Sequence, residues 1–440
     1  MNTPYQNKIN SQVVMPVQRF IRHEKSGGIV LGLSVIVALA VANSPLATSY
    51  FHFLEQKIGF IINDKPYLNF DLSHWINDGL MAMFFFVVGL ELKREFIAGE
   101  LSDLRKAILP ISAAIGGMIV PALLYLLVNP TAPTAKGWGI PMATDIAFAL
   151  GVLYLLGNKV PLSIKVFLAA LAIVDDLGAV LVIAFFYTSD ISIVSLTVGF
   201  GFVLAMFIAN KMGIKNVVFY AVLGIGGVWM AFLLSGVHAT IAAVLAAFMI
   251  PADSRIKENV YIARINKLLK RFKEADPNNK PTLENEQVHI LDRIKEDTNS
   301  AIPPLQRLEH VMHPLVTFVI MPVFALANAG VPFADVNLET LFSTNIALGV
   351  AMGLLFGKVI GVVGTSALLI KLKIATPLTG MTNRKLLGIG FLASIGFTMS
   401  MFITTLAFTD PVYLVQAKIG IFTASIIGGT IGYGLLSKGK

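Results

Sequence analysis

The chain has 440 residues, 55% of them hydrophobic and 14% charged, where an ordinary soluble domain carries about 25% charged residues. That composition excludes a disordered chain, argues against a water-soluble enzyme and leaves a polytopic membrane protein, while the absence of Cys excludes disulfides and thiolate metal sites. The net charge of +8 has to be read first as membrane orientation and only then as a footprint for nucleic acid.

A helix needs roughly 20 apolar residues to cross a bilayer. In chain order, runs of that kind cover 28–47, 76–97, 107–128, 138–157, 162–187, 191–210, 216–234, 235–250, 311–331, 345–370, 385–408 and 414–436. The expected class is therefore an all-α polytopic membrane protein with about 12 transmembrane helices. No stretch alternates over the roughly ten residues of a barrel strand. The organisation reads as a cytoplasmic tail over 1–27, helices one to eight over 28–250, a charged loop over 251–310, helices nine to twelve over 311–436 and a tail over 437–440. A polar stretch precedes the first run, so that run reads as a span and not as a cleaved signal.

Basic residues gather on one side of this topology. They include Lys8, Arg19, Arg22 and Lys25, then Lys93, Arg94, Arg105 and Lys106, then Lys211 and Lys215, Lys371 and Lys373, Lys438 and Lys440. The other side carries Glu55, Asp64, Asp71, Asp190, Asp335, Glu339 and Asp410. The positive-inside rule puts both termini in the cytoplasm. The basic balance then reports orientation; the partner is the lipid bilayer and no nucleic acid is expected. Within 251–310 the stretch 255–298 is rich in charge and holds Pro277-Asn278-Asn279-Lys280-Pro281. A charged helix over 260–274 is one reading, and a solvated linker with little fold of its own is the preferred one.

Four ionisable residues lie inside apolar runs: Asp145, Asp175, Asp176 and Lys358. A charge at mid-bilayer costs roughly 2.5–3.5 kcal/mol on insertion scales, so each is a functional candidate. Neighbours on a helix point about 100° apart, so Asp175 and Asp176 cannot act from one face. Lys358 is the one cation deep in a span, and one of that pair is its natural partner. Its helix carries Gly349, Gly353, Gly357 and Gly361, a stripe that lets a neighbouring helix approach closely. Asp145 follows Pro141 and Thr144, and Pro frees backbone carbonyls. The run 388–400 is similarly weakened by Gly388, Gly390, Gly396, Thr398 and Ser400. Two interrupted helices in the two halves of a chain point to a mid-membrane site between inverted repeats.

The donors available there are carboxylates, the Thr144 hydroxyl and freed carbonyls, all hard oxygens suited to Na+ or Li+. The same carboxylates are the best proton acceptors in the membrane, because burial disfavours their charge. Proton and cation would compete for one site, and competition with alternating access makes an exchanger. A passive channel would instead need rings of carbonyls or acids along a continuous pore. A symporter would use Lys358 to bind an organic anion. A membrane enzyme lacks support, since no nucleophile–base motif, P-loop or His-rich metal pattern is present; no cofactor is expected.

The runs ATDIAFALG (143–151), AIVDDLGA (172–179), SGVHAT (235–240), RLEH (307–310), ANAGV (327–331) and GFTMS (396–400) together resemble the motifs of the bacterial NhaA-type Na+/H+ antiporters, over nearly the whole chain. The resemblance implies twelve helices, with two interrupted helices crossing at mid-membrane, in a homodimer of the bacterial inner membrane. It implies electrogenic, pH-regulated exchange of cytoplasmic Na+ or Li+ for external H+, serving sodium and pH homeostasis. It implies that Asp175 and Asp176 form the ion and proton site with Asp145 and Thr144 nearby, and that Lys358 pairs with Asp175. A pH-sensing cluster at the cytoplasmic mouth would use Glu91, Arg94, Glu309 and His310, with His313 close by. Glu91 and Arg94, three apart, could equally form a plain surface pair worth a few tenths of a kcal/mol. His238 reads as a hydrogen-bonded packing histidine. The 251–310 loop is longer than the connection in the family's best-known members.

Overall fold

Inside a bilayer every backbone amide and carbonyl has to be satisfied within the protein. The computed structural model meets that demand with helices almost throughout, and it describes residues 25–62, 65–188, 191–275, 282–333 and 344–438. Most of the expected N-terminal tail, Lys440, the acids Asp64, Asp190, Asp335 and Glu339, and the 277–281 segment lie outside the described residues.

Every expected span lies mostly on helix, with non-helical breaks at 143–145, 235–238 and 394–396. The first is divided into α1 (Lys25–Ala42) and α2 (Ala47–Leu54), bent by 114°. Pro45 disfavours helix at Ser44 before it, so 28–47 is not one straight span. Then come α3 (Leu72–Ala98) and α4 (Leu104–Val128). A 3-10 segment, Thr134–Met142, leads through an extended break into α5 (Ile146–Leu155). Next are α6 (Leu162–Phe186), α7 (Ile193–Lys211), α8 (Val217–Leu233) and α9 (Ala239–Met249). Helices α10 (Glu258–Glu274) and α11 (Asn285–Ala301) fill the charged loop. The last are α12 (Pro304–Asn328), α13 (Ile346–Lys371), the pair α14 (Asn383–Ala393) and α15 (Phe397–Ala407) bent by 42°, and α16 (Pro411–Ser437). By length and apolarity eight of these helices are span candidates, or up to ten if each bent pair is one span, and α8 and α9 are apolar but shorter.

Three apolar cores result among the described residues, the smallest joining Leu92 and Leu101 to Ala107 of α4 and Ile173 of α6. The largest joins α4, α5, α6 and α12–α16 around the two interrupted helices. The second joins Leu90 of α3 to Met206 of α7, Tyr220 and Phe232 of α8, and Ala242 and Ala246 of α9. The glycine stripe of α13 lies on α4 as its spacing suggested. A Cβ on Gly361 would stand 2.2 Å from the Gly116 carbonyl oxygen, and one on Gly357 would stand 2.6 Å from the Pro121 Cα. The two backbones touch, which any side chain would prevent.

One feature adds to the sequence reading and a second corrects it. First, β1 (Lys57–Ile62) and β2 (Lys65–Asp71) pair antiparallel, Lys57 opposite Asp71 and Ile58 opposite Phe70. The ribbon is tied to α3 by the Trp75 indole, which donates to the Ile58 carbonyl at 3.0 Å. Its strands are shorter than barrel strands, so a search for that pattern passes over them. Second, the segment read as a solvated linker is a folded helical hairpin. The Arg264 guanidinium meets Asp297 at 3.2 Å and that of Arg271 meets Glu286 at 3.1 Å, while Tyr261 and Thr298 share a hydrogen bond of 3.0 Å. Leu268 and Ile290 are buried between the helices, and Glu284 with Gln287 forms a capping box at the start of α11. The base of the hairpin is closed by the Leu305 amide, which donates to the Pro251 carbonyl at 3.1 Å.

Two outcomes are expected. Gly361→Val should cost about 1–3 kcal/mol or more by overpacking, seen as a lower unfolding temperature in detergent. Gly364→Val, whose Cβ would meet nothing within 4 Å, is its control, and equal effects would contradict the contact. Ile290→Asp should open the hairpin, so that limited proteolysis within 255–301 quickens while the apolar helices stay protected.

Candidate functional site

The break between the 3-10 segment and α5 leaves Asp145 extended, at the N-terminus of α5. Its Oδ1 accepts from the Phe148 amide at 3.0 Å, a helix cap. Its Oδ2 accepts from the Thr398 amide at 2.9 Å and from the Thr398 hydroxyl. Thr398 opens α15 on the far side of the second break. The backbone joins as well: the Asp145 amide donates to the Ile395 carbonyl at 2.7 Å. The Thr144 hydroxyl donates to the Ala393 carbonyl at 2.9 Å, and the Ser400 hydroxyl to the Ile140 carbonyl at 2.8 Å. Each broken helix thus supplies the partners that the other has lost.

Lys358 closes a π-helical turn, Gly353–Lys358, within α13, a local widening that recurs at functional sites. Its ammonium reaches Asp175 Oδ2 at 2.6 Å and also donates to the Met142 carbonyl at the first break. Asp176, the next residue on α6, turns elsewhere. Thr144, Asp145, Asp176 and Lys358 are each 0% exposed and Asp175 is 1% exposed. Among the described residues none hydrogen-bonds either oxygen of Asp176 or Oδ1 of Asp175. The charged groups around Asp176 are Asp175, Asp145, Lys358 and Glu91.

The four ionisable residues of the apolar runs and Thr144 therefore meet at one place, with different employment. Asp145 and Thr144 hold the breaks together, Asp175 holds Lys358, and Asp176 is uncommitted. Among the described residues no three His, Cys, Asp or Glu side chains gather as a metal cluster would. A cation here would rest on the adjacent pair and on hydroxyl or carbonyl oxygens beside it.

The expected cluster at the end of α3 also forms, with changed pairings. Arg94 pairs with Glu95 at 3.1 Å and with Glu309 of α12 at 3.2 Å. Glu91 lies 3.8 Å from His313. The simple Glu91–Arg94 pair is thus replaced by pairs reaching α12. His310 is exposed and forms no ion pair with a described residue, although it lies within electrostatic range of Glu309. Lys93, between these residues, donates to the Phe248 carbonyl at 2.7 Å and so ties α3 to the end of α9. At the opposite end of α3, His74 meets Asp78 at 3.1 Å and His238 hydrogen-bonds the Tyr187 carbonyl at 2.9 Å. The His238 contact is the packing role its sequence setting suggested. The His74–Asp78 pair was missed, although its i,i+4 spacing was open to view.

Comparison with known proteins agrees with this geometry. The family model described as Na+/H+ antiporter 1 matches residues 18–436. The "Na(+)/H(+) antiporter NhaA 2" of Syntrophotalea carbinolica is 47% identical over 425 residues, covering 96% of each chain. The "Na(+)/H(+) antiporter NhaA" of Oleidesulfovibrio alaskensis is 48% identical, covering 97% of this chain and 94% of its own. That of Helicobacter pylori is 44% identical, covering 97% and 96%. Shared over almost its whole length with proteins of this one kind, which are transporters and not enzymes, the chain belongs to the NhaA family of Na+/H+ antiporters.

Proposed function

We propose that this chain exchanges cytoplasmic Na+, or Li+, for external H+ at one shared site. The observation that carries the reading is Asp176, a buried carboxylate with no hydrogen-bond partner among the described residues on either oxygen, beside Oδ1 of Asp175, which has none among them either. Three aspartates stand against one lysine, so full ionisation leaves two negative charges in excess. A low-dielectric interior does not tolerate that excess. Protons can neutralise it, and so can an alkali cation bound by hard carboxylate oxygens. The two ligands compete for the same oxygens, so the site carries one outward and the other inward.

Asp175 and Asp176 are the ligands in this account. Asp145 contributes charge and, through Thr398 and Phe148, fixes the breaks on which alternating access would pivot. Two protons, against one Na+, match the excess charge, and the difference makes exchange electrogenic. The Glu91, Arg94, Glu309 and His313 cluster, with His310 at its edge, is the proposed pH sensor. Glu91 links it electrostatically to Asp176. The cations gathered at one end of the bundle support a bacterial inner-membrane orientation with cytoplasmic termini; a homodimer belongs to the same proposal by family likeness.

Proteoliposomes holding a pH gradient test the reading. Added Na+ or Li+ should dissipate the gradient, whereas Na+ flux with no opposing H+ flux would make the protein a channel. Asp176→Asn should abolish this exchange in a protein that still folds, and full exchange by that variant would exclude Asp176 as the ligand. Asp175→Asn and Lys358→Met should each cost about 3–5 kcal/mol, since each strands one buried charge. Combined, they should recover much of that loss by detergent unfolding; strictly additive losses would mean the two groups are not coupled.

A further inference from the structure

At the end of the bundle where α3 turns into α4, a cavity of about 400 Å3 takes no part in the ion site. The first turns of α4 and α6 and the 376–379 loop enclose it. Its rim and its wall differ chemically. Arg105 and Lys106 are exposed at the rim, and Leu109, Pro110, Phe167 and Ala170 form a buried apolar wall. One acid, Glu100, also reaches the rim, so two cations face one anion. Asp103, next to them, is not part of the lining; its carboxylate caps α4 through the Arg105 amide at 3.0 Å. The Ser163 hydroxyl is spent on the Thr379 carbonyl at 2.7 Å, which pins the loop to α6.

Both α4 and α6 are apolar helices of 25 residues, about the length that spans hydrocarbon. Their first turns therefore lie at the level where acyl chains give way to headgroups. A ligand suited to this place is negative at the rim and apolar along the wall. We propose that the cavity seats an anionic phospholipid, its phosphate on Arg105 and Lys106 and the start of an acyl chain along Leu109 and Phe167. Basic pockets between transmembrane helices on the positively charged side are the recurring form of such a seat. A free phosphate would use the rim alone. A zwitterionic lipid would bring its own cation up to Arg105 and Lys106. The lipid would bridge α4, which packs on the Lys358 helix, and α6, which carries Asp175 and Asp176.

Native mass spectrometry of the full chain in detergent, titrated with phosphatidylglycerol or phosphatidylcholine, tests the seat. Arg105→Ala combined with Lys106→Ala should weaken phosphatidylglycerol retention by about tenfold or more and leave phosphatidylcholine unchanged. The exposed pair Lys371→Ala with Lys373→Ala should leave both lipids unchanged. Ala170→Phe fills the apolar wall and should weaken phosphatidylglycerol with both rim cations still present. Equal retention by the wild type and the rim variant would overturn the proposal. So would an equal loss in the Lys371 and Lys373 control, which would mean diffuse surface charge. Displacement of the lipid by inorganic phosphate at the same concentration would overturn it too, by making the cavity a simple anion site.

Discussion

A helix broken inside a membrane strands carbonyls and amides where water cannot reach them. This protein breaks two helices and makes each repair the other. The Asp145 carboxylate collects two amides and a hydroxyl from both sides of the crossing, and the carbonyls of Ile140, Ala393 and Ile395 are taken up by Ser400, Thr144 and the Asp145 amide. The Met142 carbonyl is taken by Lys358, so the buried cation belongs to the same mesh. Remove this reciprocity and neither break could persist in an apolar interior, and nothing would bring α6 and α13 to bear on one point.

Within that mesh the unmet oxygens are those of Asp175 and Asp176. Asp145 is fully occupied, and Asp175 uses one oxygen on Lys358 and keeps the other free. Asp176 keeps both. Unmet polar atoms in a sealed interior are costly, and the three on Asp175 and Asp176 are what the proposed exchange would assign to a proton or a cation. The backbone contact between α4 and α13 lets α13 lie against α4 with no side chain at Gly357 or Gly361 to hold the two apart.

Much of this was legible in the residues because charge in an apolar run is expensive enough to be conspicuous. Asp145, Asp175, Asp176 and Lys358 stood out on that ground, the pairing of Lys358 followed from its being the single deep cation, and the spacing of Gly349 to Gly361 announced close packing. What stayed hidden has physical reasons. The bond from Thr398 to Asp145 spans 253 residues of chain, and no local pattern encodes which carbonyl a hydroxyl will meet. The hairpin of α10 and α11 buries few apolar side chains, Leu268 and Ile290 chief among them, and holds together by ion pairs, so its composition is that of a solvated linker. The β1–β2 ribbon is too short to register as periodicity. At the mouth, Arg94 had Glu91 within reach on its own helix and pairs instead with Glu95 and with Glu309 on α12, a choice made by tertiary packing.

The account rests on protons and alkali ions displacing one another from the carboxylates of Asp175 and Asp176. Calorimetric titration of the purified chain with Na+, repeated at one pH in buffers of different ionisation enthalpy, counts the protons set free as the ion binds. Proton release with each Na+ bound, lost when Asp176 is replaced by Asn, is the predicted result. Sodium binding that sets no protons free, at a pH where exchange runs, would contradict it.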